Sequence, residues 1–132
     1  MALHKVQKDL PMEKTVEPID FSGLWDISDG KKNTLIDILK SIENGVREYP
    51  EKISMAFRSG DAKVLREVTH KTKSCTNYLY HNELTALLQQ IEKAALEKKL
   101  DSSVKEKIAR VNYIAESILP DLNFHLEQLK EL

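Results

Sequence analysis

Breakers and cross-links are scarce in this chain. Its 132 residues hold one cysteine, Cys75, with four glycines and four prolines. A single thiol excludes an intrachain disulfide and suits a reducing compartment. So few breakers leave long uninterrupted segments, and the many Leu, Lys and Glu favour helix over sheet. Aromatics make up only 6%. Charge of one sign is not in excess either: 20 Lys and Arg face 21 Asp and Glu, a net charge of -1. A nucleic-acid binder usually carries a basic surplus. No stretch approaches the roughly 20 apolar residues of a membrane span, and the opening MALHKVQKDLPMEK has no apolar run of the signal-sequence kind. The expectation is a cytoplasmic protein whose domain touches neither membrane nor nucleic acid. No nucleophile elbow, P-loop or dinucleotide fingerprint is present, and no His and carboxylate cluster has metal-ligand spacing. Neither an independent enzyme nor a metal site is expected.

What is there is helical periodicity. A chain of this length fits one domain. Residues 1–19 are polar, aperiodic and broken by Pro11 and Pro18, and read as a flexible tail or interdomain linker that includes His4. Phe21, Leu24, Trp25 and Ile27 make one short amphipathic helix, which must dock on something to be stable. Ser28-Asp29-Gly30 reads as a turn, with Ser28 or Asp29 capping the next helix. Leu35, Ile38, Leu39, Ile42 and Val46 form a stripe at intervals of three and four. Ile53, Ala56 and Phe57 continue it after Pro50, either in a new helix or in the same one bent there. Asp61 looks like the cap of a helix running to about Leu79. Asn82 is the expected cap of the next, with Leu84, Leu87, Leu88, Ile91 and Ala95 inward. Ser103 with Glu106 reads as a capping box. The last helix carries Val104, Ile108, Val111, Ala115, Ile118, Leu122, His125 and Leu129 at four-three spacing, with a kink expected at Pro120. On that seam His125 is expected to be partly buried with its hydrogen bonds satisfied. The fold expected is all-α: over residues 20–132, an antiparallel up-down four-helix bundle with a short N-terminal helix capping one end.

On the third of these helices, Leu65, Val68, Thr72, Cys75 and Leu79 share one stripe, which makes Cys75 a small buried hydrophobe. His70 then lies about 180° from the stripe's centre, as far from the core as the helix allows. Arg66, Glu67, Lys73 and Ser74 are its neighbours one turn away, and Lys63 and Asn77 extend the face. A neutral imidazole is a nucleophile near neutral pH, and neighbouring cations favour the neutral form. Lys73 could neutralise phosphoryl oxygens. Taken alone, an exposed histidine among lysines is more often idle than functional, so the helical face leaves both readings open.

The stretch SGDAKVLREVTHKTKSCTNYLYHNELTALLQQIEKA resembles the histidine phosphotransfer domain of two-component phosphorelays. In that family the phosphohistidine opens a motif of the form His-x-Leu-Lys-Gly, followed by small residues, a Leu and a later Leu. The resemblance puts the phosphoacceptor at His70 and the motif lysine at Lys73. Ser74 and Thr76 stand for the small residues, Leu79 and Leu84 for the apolar positions. FSGLWDISDGKKNTLIDILKSI also resembles the family's opening, so the likeness spans roughly Asp20 to Lys98. Three positions depart from the pattern: Thr72 where Leu is usual, Ser74 where Gly is usual, and Tyr80-His81 where a Gly-Ala-like pair is common.

The resemblance implies a phosphorelay intermediate, a carrier and co-substrate more than an enzyme. A receiver domain phosphorylated on aspartate would dock on the His70 face, through Lys63, Arg66, Glu67, Ser74 and Asn77. The Nε2 atom of His70 would take the phosphoryl group and later pass it to a second receiver. The receiver would bring Mg²⁺ and most catalytic groups, and this chain no cofactor. The family also implies a monomer, alone or as part of a hybrid sensor histidine kinase. Two other readings stand beside it. One is a helical-bundle docking or adaptor module that never carries phosphate, which the Thr72 and Ser74 departures keep open. The other is an oligomerisation segment, suggested by the four-three seam of the last helix.

Overall fold

The computed structural model describes residues 15–132, and every element among them is helical. The order is α1 (Ser22–Ile27), α2 (Lys32–Arg58), α3 (Ala62–Thr76), a 3-10 turn (Asn77–Leu79), α4 (Asn82–Leu96) and α5 (Ser102–Lys130). Helices α2 to α5 pack in a ring, each against the next and α2 against α5. Turns of a few residues make the neighbours antiparallel. Leu39, Ile53, Leu65, Leu88, Ile91, Ile114 and Leu122 are at the centre of the single core. No described helix is long and apolar enough to cross a membrane.

The helix lengths are unequal. At 27 and 29 residues, α2 and α5 outrun α3 and α4, which have 15 each. The overhang is covered by α1. Phe21 stacks on His125 of α5 at 3.9 Å between ring centres, and the Asp20 N–H donates to the Leu79 carbonyl at 3.0 Å. This is the expected cap over one end. His125 is half-buried beneath Phe21, and burial holds its imidazole below the usual histidine range. Its buried Nε2 has no hydrogen-bond partner, contrary to the satisfied histidine expected there.

Pro50 neither starts a new helix nor ends the old one: α2 continues through it, with the ring buried. Helix α5 likewise runs unbroken through Pro120. Three caps differ from expectation. Asp61 does cap α3, accepting from the Val64 N–H at 3.0 Å. However, α4 is capped by His81 and not by Asn82, with His81 Nδ1 accepting from the Leu84 N–H at 3.1 Å. Asp101 caps α5 in place of the Ser103–Glu106 box. Lys31 begins α2 with no side-chain cap, while Ser28 turns back to the Trp25 carbonyl and Asp29 and Gly30 take positive φ.

The segment from 15 to 19, expected to belong to a tail, lies against the bundle. Val16 and Ile19 pack on the core. Glu17 Oε1 accepts from the Glu83 N–H at 2.8 Å, and Arg110 donates to both Glu83 carboxylate oxygens and to the Thr15 carbonyl. Backbone bonds and one long-range arginine hold this piece, and neither leaves a periodic signal. The remainder of the expected tail, with His4, lies outside the described residues.

Gly45 of α2 faces Cys75 of α3 at close range. A Cβ there would stand 2.6 Å from Cys75 Sγ and 3.0 Å from Tyr49 Cε2. Gly→Ala inside a helix normally stabilises by roughly 0.5–1 kcal/mol. Here crowding reverses the sign, and Gly45→Ala is expected to destabilise by about 1–3 kcal/mol. Cys75→Ala in the same chain should recover part of that loss. Urea unfolding of the two single variants and the double variant checks both the sign and the coupling.

Candidate functional site

Helix α3 turns a different face inward from the one expected. Leu65, Thr69, Thr72, Thr76 and Leu79 are buried, while Val68 and Cys75 are only half-buried. At about 100° per residue the buried stripe is rotated by roughly 40° from the predicted one. Threonine makes this possible. Thr72 Oγ1 donates to the Val68 carbonyl at 2.7 Å, and Thr76 Oγ1 to the Thr72 carbonyl at 3.0 Å, so two of the three buried hydroxyls are satisfied within the helix.

The rotation decides where His70 points. Its side chain is 61% exposed, as expected, but it sits on the flank next to α4 and not opposite the core. There it meets Glu92. His70 Nδ1 lies 2.9 Å from Glu92 Oε2, and Lys73 Nζ donates to Glu92 Oε1 at 2.7 Å. Glu92 and Lys73 are themselves half-buried. Burial alone would push the Glu92 carboxyl up. The hydrogen bonds from Lys73 and then His70 outweigh it, and the group lies below the usual glutamate range.

At neutral pH, where a glutamate is ionised, the 2.9 Å contact sets the donor on His70. An ionised carboxylate only accepts hydrogen bonds, so Nδ1 must be the donor. A neutral ring with its proton on Nδ1 leaves a lone pair on Nε2, and no described residue bonds that atom. The site therefore presents an exposed, oriented imidazole nitrogen with an ammonium held beside it. Cys75 offers no competing nucleophile, because burial pushes its thiol up to about 11. Among the described residues no three His, Cys, Asp or Glu side chains gather as a metal-binding group.

Comparison with solved structures bears on the fold of the chain. The chain is similar to histidine-containing phosphotransfer protein B (HptB) from Pseudomonas aeruginosa PAO1, with a TM-score of 0.56 and 16% identity. The match covers 81% of this chain and 98% of that one. The chain has the fold of a histidine phosphotransfer domain. No family model and no curated protein sequence matches it.

Within the phosphotransfer fold, two of the three departures, Thr72 and the Tyr80-His81 pair, have structural roles, while Ser74 is exposed. Thr72 fills a core position with its hydroxyl bonded back. Tyr80 takes the left-handed conformation, φ 50°, which suits the glycine usual in the family pattern and costs a non-glycine residue roughly 1–2 kcal/mol. Its ring rests on Gly23 of α1, where a Cβ would come within 2.8 Å of it. His81, expected as a turn residue, is fully buried as the α4 cap.

The five expected docking residues are all exposed, and they divide. Lys63, Arg66 and Glu67 border a hollow of about 840 Å³ with His70 and Glu92. Ser74 borders a smaller one, about 450 Å³, between α2 and α3 with Ile38, Tyr49 and Tyr78. Asn77 lies in the 3-10 turn and borders neither. Glu92 was not foreseen. Its signal was the position four residues after Leu88 and three before Ala95, which puts a carboxylate at the edge of the inner stripe of α4.

Because Glu92 is lowered in the folded chain, its contribution to stability is fully present above the unfolded glutamate range. It disappears as pH falls through the folded value. Wild type should therefore be more stable than Glu92→Gln at about pH 7, and the gap should close by about pH 3. Urea unfolding at the two pH values measures it. A gap that persists or widens in acid would show that the carboxylate is not held ionised.

Proposed function

We propose that this chain is a phosphorelay intermediate, with His70 as the phosphoacceptor and a receiver domain's aspartyl phosphate as donor. The observation that carries the reading is the shared carboxylate. Glu92 holds His70 through Nδ1 and leaves Nε2 bare and exposed, which is what attack on phosphorus needs.

The step balances without a further reactant. The Nε2 lone pair forms a bond to phosphorus as the bond from phosphorus to the aspartate oxygen breaks, and the carboxylate leaves with that electron pair. His70 keeps its Nδ1 proton, so the phosphorylated ring gains positive charge, and Glu92 is already in place to balance it. Lys73 has three N–H donors. It can keep one on Glu92 and turn another to the phosphoryl oxygens. In-line positioning and charge neutralisation supply most of the catalysis in such transfers. The donor's receiver brings Mg²⁺ for its own phosphoaspartate, so this chain acts as carrier and co-substrate. Reversal of the same step passes the group to a second receiver. Lys63, Arg66, Glu67, Ser74 and Asn77 form the exposed face against which a receiver would dock.

A panel of receiver domains, each labelled on its aspartate, tests this directly. Wild type should take up an acid-labile, base-stable label from at least one of them, and His70→Gln should take up none. Lys73→Ala should slow transfer on the order of tenfold to a hundredfold, less than a fully buried oxyanion donor because the site is open to water. Glu92→Ala should slow it as well. No transfer to wild type from any receiver, or equal labelling of His70→Gln, rejects the carrier role. Receiver binding without transfer would support the docking-module alternative.

A further inference from the structure

Beside His70, the hollow between α3 and α4 has an uneven charge. Lys63, Arg66 and Lys71 of α3 border it with Lys98 just past α4, against only two carboxylates, Glu67 and Glu92. Glu92 is already taken by Lys73 and His70. None of the four cations forms an ion pair among the described residues, although the chain as a whole carries a net charge of -1. Lys71 lies further round α3, so the α4 side of the hollow is a wall of Lys63, Arg66 and Lys98.

Between those cations the surface is apolar. Leu96, a large side chain, is 58% exposed, and Ala62 and Ala95 leave the floor beside it shallow. Because α3 and α4 are antiparallel, the start of α3 meets the end of α4. The cations and Leu96 thus gather at one end of the hollow, with His70 along its side.

We infer that Leu96 and Lys98, with Lys63 and Arg66, extend the docking face onto the end of α4, where it takes an acidic amphipathic helix of the partner that exchanges phosphoryl with His70. The inference deepens the carrier reading and rests on it for the partner's identity. An acidic helix face would meet the three cations, and one apolar side chain from it would cover Leu96 between the two alanines. Such complementarity acts on encounter and partner choice more than on the chemical step. The hollow offers no aromatic platform among its bordering residues, which a single-stranded nucleic acid would need for stacking. This surface also brings α4 into recognition, which the five docking residues on α3 and its turn do not.

Two measurements on the full chain test it. The first uses the receiver that transfers fastest to His70 and compares wild type with the double variant Arg66→Glu, Lys98→Glu. Lys31→Glu is the control of like charge, at the far end of α2, about 40 Å along that 27-residue helix. The double variant should raise KM for the receiver about tenfold at low salt. The difference should shrink at high salt, since exposed charges are screened within about 10 Å at 0.1 M. Lys31→Glu should leave KM unchanged.

The second measurement needs no transfer. A fluorescein-labelled synthetic helical peptide with Glu on one face and Leu on the other is titrated by anisotropy. Wild type should bind it at low salt, and the double variant at least tenfold more weakly. Equal KM values, or an equal loss in Lys31→Glu, overturn the inference, as does equal or absent peptide binding. Peptide binding intact with no transfer from any receiver overturns the carrier reading and leaves the surface standing. Light scattering that shows a dimer dissolved by the double variant would make the occupant a second copy of this chain, and would also overturn it.

Discussion

A carboxylate has two oxygens, and Glu92 commits one to His70 and the other to Lys73. The site depends on that division. Without Glu92, the imidazole would be free to turn about its side-chain bonds and to carry its proton on either nitrogen. The lysine, one turn along the same helix, would swing in water. With Glu92 ionised and half-buried, both side chains are held and the proton has a fixed place. The expected neighbours of His70 on its own helix did not include this carboxylate of α4, which bonds its ring.

Two helices must keep register for this to hold, since His70 and Lys73 come from α3 and Glu92 from α4. The turn between them is fixed several times over. Tyr80 holds the left-handed position, His81 caps α4, and the Leu79 carbonyl accepts from Asp20 of the segment leading into α1. The Tyr80 ring lies on Gly23, so α1 and the turn brace each other. The short helix that looks like a lid on the core also steadies the turn that sets the site's spacing. The long helices α2 and α5 supply the rest of the frame, with Gly45 letting α3 come close to α2.

Much of this was legible in the sequence. Four-three spacing gave the helices and their order, since apolar stripes report burial directly. Asp61 announced its own helix, and His70 came out exposed because it lies far round α3 from the apolar positions. The losses have particular causes. Thr72 was placed on the inward stripe, but Thr69 and Thr76 read as polar; all three are buried, so the inward face was misjudged by part of a turn. That error hid Glu92, because only a rotated α3 brings His70 against α4. Histidine is an uncommon cap, so Asn82 was preferred to His81. Proline 50 left a boundary and a continuous helix both open, because its missing N–H breaks one helical bond, a loss that a long helix packed on both sides of it can bear.

The proton on His70 tests the account most directly. A histidine side chain free in water favours the proton on Nε2, so a reversal is informative. Long-range proton–nitrogen correlation spectra of the neutral form should show Nδ1 protonated and Nε2 bare in wild type, with Glu92→Ala shifting the ring back toward the solution preference. A ring protonated on Nε2 in wild type, or one unmoved by Glu92→Ala, would contradict the account, because the carboxylate would then not be orienting the nucleophile.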